Sequence, residues 1–283
     1  MVGMSLNGDG APLFDVDNVQ FSYDGRQIAL DGVSLQVEAG EKIAILGSNG
    51  SGKSTLLKLL DGLYFPNQGQ VRYRGAPLTE AMFNDDESFS FAFRRNVSLV
   101  FQDTDVQLFS PTVWDEVAFA PLQLDLPDDD VRARVARALA ALRIEHLAER
   151  TPHRLSGGEK RRVALASVLS LGPGVWLLDE PTTGLDPRSQ SWLIDFILER
   201  SAAGETFITA THDLDIVSTI ADRVYVFAET HKIVAEGTPA DILSNRELLL
   251  ACNLIHEHSH RHGEVVHSHP HAHDAHATHE HAT

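Results

Sequence analysis

The string Gly47-Ser-Asn-Gly-Ser-Gly-Lys53-Ser54 constrains this chain more than any other stretch, because a G-x-x-x-x-G-K-[ST] run works only in one structural setting. It needs a strand before it and a helix after it, so that a tight glycine-rich turn can aim backbone N–H groups at an anion. Both flanks are present: residues 43–46 are a continuous apolar run, and residues 53–60 read as a helix. Gly47, Gly50 and Gly52 allow the turn, and Ser48, Asn49 and Ser51 complete it. Lys53 is then placed to hold the outer phosphates of a nucleotide. Ser54, followed by Thr55, offers a hydroxyl to Mg²⁺, a cation that prefers oxygen ligands.

Strand-like runs occur at 14–23, 33–37, 42–46, 70–73, 97–101, 175–179, 206–210, 223–227 and 232–236, several alternating with helical signals. The apolar runs at 43–46 and 175–178 suit central parallel strands covered on both faces. Between 108 and 150 the pattern becomes helical, with Val131, Val135, Leu139 and Leu142 on one face after the acidic start at Asp128–Asp130. The expected fold is α/β: a P-loop NTPase core of RecA-like type with a parallel-rich sheet, an N-terminal antiparallel β region and an inserted helical subdomain at about 104–165. Residues 1–12 read as a flexible leader, 13–255 as the ATPase domain and 256–283 as a disordered, His-rich tail.

Lys and Arg total 23 against 40 Asp and Glu, a net charge of −17, which argues against a nucleic-acid backbone or an anionic lipid surface as the main partner. A single cysteine, Cys252, cannot form an internal disulfide, so the cytosol is the expected compartment. The longest apolar candidate, residues 163–178, is broken by Gly172, Pro173 and Gly174, and no span of the bilayer is expected.

The apolar run at 175–178 ends in Asp179-Glu180, and neighbours leaving a strand point opposite ways. Asp179 is placed for Mg²⁺, and Glu180 is placed to polarise an attacking water as general base.

With these residues goes Leu155-Ser156-Gly157-Gly158-Glu159, and together they resemble the ATP-binding-cassette ATPases over roughly residues 16–242. A serine and two glycines at a helix start offer a hydroxyl and bare N–H groups to an anion. The resemblance implies that Ser156, Gly157, Gly158 and Glu159 contact a nucleotide held by a second subunit. A homodimer, or a heterodimer with a second such ATPase, is therefore expected. It further implies Tyr23 as the aromatic that stacks on adenine, against the alternative of an edge-strand core tyrosine. Gln102 is implied at the metal and water, Asp186 in the loop crossing the dimer interface, and His212 as the histidine bonded to the γ-phosphate. His146, His153 and His231 read as ordinary surface residues. Phe109, Val113 and Val117 form an apolar stretch that either docks a helix of an integral membrane subunit or is buried inside the helical subdomain.

The segments Phe101-Gln-Asp…Asp105-Val-Gln107-Leu-Phe109 and Asp115-Glu116-Val117-Ala118-Phe119 are similar to energy-coupling-factor ATPases, above all to their cobalt and nickel uptake branch. Thr104 stands where that branch usually carries proline, and the stretch 79–93 is longer than its usual connection. The expected activity is ATP hydrolysis, with ATP and Mg²⁺ bound, at the cytoplasmic face of the cell membrane. A vitamin or zinc importer is the alternative cargo class. A His-rich metallochaperone NTPase is disfavoured because the chain lacks an Asn-Lys-x-Asp string.

In the tail, His256, His258, His260, His262, His267, His269, His271, His273, His276, His279 and His281 mostly recur every second residue. Neutral imidazoles at this density suit Ni²⁺, Co²⁺, Cu²⁺ or Zn²⁺. The competing reading is a solubilising or cloning-derived tail.

Overall fold

The computed structural model describes residues 11–124, 126–262 and 265–272. Alternating apolar residues at the start of the chain produce β1 (Phe14–Ser22), which buries Phe14, Val16, Val19 and Phe21 and pairs antiparallel with β2 (Ile28–Val37). The alternation slips at Asp17-Asn18, where Asn18 has φ 47 and the pairing shifts register. β3 (Lys42–Leu46) then leads through the glycine-rich turn into α1 (Lys53–Leu60).

β4 (Gln68–Tyr73) and β5 (Ala76–Pro77) complete a sheet of order β2-β1-β4-β5, the antiparallel region expected from the sequence. At Gly69 a Cβ would lie 2.3 Å from the Asn18 carbonyl oxygen, so only glycine lets β4 cross the β1 irregularity. The long connection that follows forms α2 (Glu80–Asp85) and α3 (Glu87–Asn96), capped by Thr79 and Asp86. Phe83, Phe89 and Phe93 from this pair pack edge to face and stacked, with Phe93 against Tyr73. The extra residues thus close the core beneath the antiparallel sheet.

β6 (Val97–Val100) precedes the helical part: α4 (Val113–Gln123), α5 (Asp128–Ala141) and α6 (Gly157–Leu169). Val131, Val135, Leu139 and Leu142 are all buried, sharing a core with Val113, Val117 and Val163. Of the apolar stretch noted above, Val113 and Val117 therefore face inward. Phe109 faces out, 60% exposed, beside Phe119 with ring centroids 4.9 Å apart.

β7 (Val175–Asp179), α7 (Pro187–Ala202), β8 (Thr206–Thr211), α8 (Leu214–Ile220), β9 (Arg223–Phe227) and β10 (Ile233–Gly237) finish the second sheet. Its order is β10-β9-β3-β8-β7-β6, parallel except for the antiparallel β9–β10 pair. The chain crosses over in a way that brings the carboxyl ends of β3 and β7 to the same edge, which in wound α/β sheets is where ligands bind. No helix among the described residues is long and apolar enough to cross a membrane.

α9 (Pro239–Ser244) and α10 (Arg246–Ala251) lead into β11 (Ile255–His262) and β12 (Val265–Ala272). Where the sequence reading leaves 256–283 without fixed structure, these two strands pair antiparallel, with His256 opposite His271, His258 opposite His269 and His260 opposite His267. The cause lies in the spacing: a residue type repeated every second position has the period of a strand. His273, His276, His279 and His281 lie outside the described residues.

Candidate active site

The turn from β3 into α1 has the strained geometry its glycines permit, with φ 81 at Gly50 and φ 114 at Gly52. A Cβ on Gly47 would come within 2.5 Å of Ser51 Oγ and 2.9 Å of Phe227 Cβ. Lys53, at the first turn of α1, is buried and its ammonium donates to the carbonyls of Gly47 at 2.7 Å and Ser48 at 3.1 Å. The turn opens on a cavity of about 420 Å³ lined by Asn49, Gly50, Gly52, Lys53, Ser54, Thr55, Tyr23, Gln102 and Glu180. Ser48 Oγ and Ser51 Oγ are buried without a hydrogen-bond partner. Such orphans are rare in proteins, and two hydroxyls around one anion-shaped turn fit a phosphate chain.

Ser54 Oγ donates to Asp179 Oδ1 at 2.9 Å, joining the end of β7 to the start of α1. Burial pushes the Asp179 carboxyl upward, with the Ser54 hydrogen bond acting against it. Ser54 Oγ and the Asp179 carboxylate, with the side-chain carbonyl of Gln102 on the lining of the same cavity as Ser54, are oxygen donors of the kind Mg²⁺ takes. No cluster of three or more His, Cys, Asp or Glu suited to a metal occurs among the described residues.

Glu180 is 2% exposed and sits at φ 45, in the left-handed region that non-glycine residues avoid. Its N–H bonds the Ala210 carbonyl of β8 at 2.9 Å, which holds the turn. One carboxylate oxygen is 3.2 Å from Lys53 Nζ and the other is 2.8 Å from His212 Nδ1. Lys53 and His212 therefore meet on the single carboxylate of Glu180, although the three residues come from three separate strand ends.

Tyr23 is 53% exposed and lies on the cavity rim, its ring edge-on to Phe21 and Tyr64 and its hydroxyl 2.9 Å from Thr55 Oγ1. With that exposure it is not a core tyrosine. Gln102 lines the same cavity, and the segment carrying it is clamped by a residue that sequence reading passed over. Buried Arg161 of α6 donates to the carbonyls of Phe101 at 2.7 Å and Gln102 at 2.8 Å. His231, read as a surface residue, also lines the cavity.

Ser156, Gly157, Gly158 and Glu159 stand apart from this cavity, at the start of α6. Ser156 and Glu159 form a capping box: the Ser156 N–H donates to the Glu159 carboxylate at 2.8 Å, and that bond holds the Glu159 carboxyl below its usual range. Gly157 faces open space. On Gly158 a Cβ would lie 2.9 Å from Ser189 Oγ, so the turn carrying Asp186 packs directly against this helix start. Asp186 itself caps α7, accepting from the N–H groups of Arg188 and Ser189 and from the Ser189 hydroxyl.

A family model described as ABC transporter matches residues 30–183. The chain is 52% identical over 247 residues to a nickel import ATP-binding protein, NikO, of Rhodobacter capsulatus, covering 86% of this chain and 96% of the relative. It is 48% identical to a putative ABC transporter ATP-binding protein of Methanosarcina acetivorans, covering 89% of this chain and 92% of the relative. Among solved structures it resembles CbiO1 of Clostridium perfringens, part of the ABC transporter complex CbiONQ, at 36% identity and a TM-score of 0.72, covering 86% and 95% of the two chains. A dimeric ATP-binding cassette in a post-hydrolysis state with ADP and Pi matches at 27% identity and a TM-score of 0.69, covering 80% and 98%. The phosphate loop, the paired acids and these relatives place the chain in the ATP-binding-cassette transporter family, as an ATPase that drives transport.

Proposed function

We propose that this chain powers uptake of a transition-metal ion, nickel or cobalt, as a peripheral subunit on the cytoplasmic face of the membrane. The observation that carries the cargo class is the 52% identity to a nickel import ATP-binding protein across nearly the whole of both chains. The likeness to CbiO1, part of the ABC transporter complex CbiONQ, supports work within a transporter of several subunits.

The active unit is a dimer, either of two copies or with a second cassette. Lys53 and Glu180 line the cavity while Ser156 stands away from it, so the helix start of one subunit is free to close on the nucleotide of the other. Tyr23 carries the adenine ring, Gly47–Thr55 hold the phosphates, Ser54, Gln102 and Asp179 hold Mg²⁺, and Asp186 lies at the subunit boundary. Glu180 takes the proton of the attacking water, and His212 bonds the γ-phosphate and orients that carboxylate. Exposed Val106, Phe109, Phe119 and Leu122 supply the apolar surface for a helix of the membrane subunits. The histidines at 256–281 gather the cargo ion at the transporter.

Uptake of radioactive nickel and cobalt into cells carrying the chain with its membrane subunits tests this reading, with Lys53→Ala as control. Accumulation that Lys53→Ala abolishes is expected. Uptake of a vitamin in place of either metal would refute the cargo assignment and leave the ATPase assignment standing.

A further inference from the structure

His231 lies in the turn between β9 and β10, 180 residues from the phosphate loop, yet it lines the nucleotide cavity. Its backbone is held at φ 63, with its N–H on the Ala228 carbonyl and its own carbonyl accepting from the Asp31 N–H of β2, both at 3.0 Å. Glycine is the inexpensive residue for such a turn. A side chain retained there at a conformational cost invites a search for its role.

Its Nδ1 lies 3.2 Å from the carbonyl oxygen of Ser51. A carbonyl only accepts, so Nδ1 carries the hydrogen and donates. The Ser51–Gly52 peptide is trans and planar, which sets the Ser51 C=O and the Gly52 N–H on opposite sides of one rigid unit. Holding that carbonyl toward His231 therefore fixes the direction of the Gly52 N–H, and Gly52 is a cavity-lining residue of the loop.

We propose that His231 is a positioning residue for the phosphate loop, which through Ser51 orients the Gly52 N–H toward the bound phosphates. It touches neither the reacting atoms nor the general base, so it affects nucleotide affinity and not the chemical step. This inference rests on the nucleotide site and is independent of the transported cargo.

The test compares His231→Gly, His231→Ala and His231→Asn in the full chain. Glycine relieves the backbone cost while deleting the donor. Asparagine tolerates a left-handed backbone and carries an amide nitrogen the same number of bonds from Cα as Nδ1. ADP and adenosine affinities are measured by competition with a fluorescent ATP analogue, alongside kcat, KM and thermal unfolding. The expected result is ADP affinity lowered about three- to tenfold in the glycine and alanine variants, the worth of one hydrogen bond. Adenosine affinity and kcat stay unchanged, KM for ATP rises in parallel, Tm does not fall in the glycine variant, and asparagine restores ADP binding to within about twofold. Equal losses for ADP and adenosine would overturn the proposal, as would unchanged ADP binding in His231→Gly or failure of asparagine to rescue.

Discussion

Glu180→Gln separates the ion pairing seen at this carboxylate from its proposed work as general base. In the described state that carboxylate faces Lys53 at 3.2 Å and His212 at 2.8 Å, with both partners and Glu180 itself largely buried. At an effective dielectric of about 20, the bare attraction between unit charges at this separation is about 5 kcal/mol, most of it offset by desolvation. The amide removes the charge but keeps the volume. Lys53 is then left with the two carbonyls of Gly47 and Ser48, which keep the loop intact but leave a buried ammonium under-compensated. The nucleotide-free protein should lose about 1–3 kcal/mol of stability, a Tm decrease of several degrees for a chain of this size. Phosphates supply the missing negative charge, so ATP should bind at least as tightly as to the parent, with a larger ligand-induced rise in Tm. Turnover should fall about 10²–10⁴-fold, since a positioned general base has been removed. Phosphate release under saturating ATP, equilibrium ATP binding and thermal unfolding with and without ATP make up the assay. Turnover near the parent value would remove Glu180 as the base, and weakened ATP binding would refute its role as the group that nucleotide displaces from Lys53.

Mixed dimers of Lys53→Ala with Ser156→Arg subunits should recover part of the activity that each variant lacks alone, because one composite site escapes both lesions. Demonstrated mixed dimers with no recovery would count against independently working sites. Asp61 is buried beside Arg94, and burial pushes its carboxyl well above the usual carboxylate range, up to about 7. A carboxyl raised in the folded state favours folding while protonated, so its contribution is complete below about pH 4 and is lost as pH rises through about 7. At 1.36 kcal/mol per pKa unit this is at most about 4 kcal/mol, and denaturant titrations of Asp61→Asn should lack that pH dependence. Arg161→Lys cannot serve two carbonyls with one planar fork, so it should lower turnover through Gln102 while leaving ATP affinity nearly unchanged; an equal loss of affinity would refute the clamp. Deleting residues 257–283 should leave basal ATPase activity intact and abolish most calorimetric uptake of Ni²⁺, Co²⁺ and Zn²⁺ above about pH 6.5, where imidazole is neutral. Equal metal uptake by both forms would remove the tail from that role.

The parts of the protein whose physics is local can be read from the amino-acid order. A glycine-rich turn between an apolar strand and a helix, two acids at a strand end and a serine-glycine helix start are each set within a few residues, so their structural settings are readable in one window. The wound α/β core follows from the same short-range periodicities. Which distant segments those windows meet depends on how the elements pack. The meeting of Lys53 and His212 on Glu180 depends on β3, β7 and β8 lying side by side, and strand order is not encoded in any one strand. Arg161 looks like one more cation after a motif until its guanidinium is found buried on the carbonyls that carry Gln102. The apolar stretch at 109–117 splits into an outward Phe109 and inward Val113 and Val117 because α4 packs on α5 and α6, a choice set by the partner helices. His231 is silent in the sequence because its partner, Ser51, is 180 residues away and the contact is to a backbone carbonyl, which every residue type carries alike.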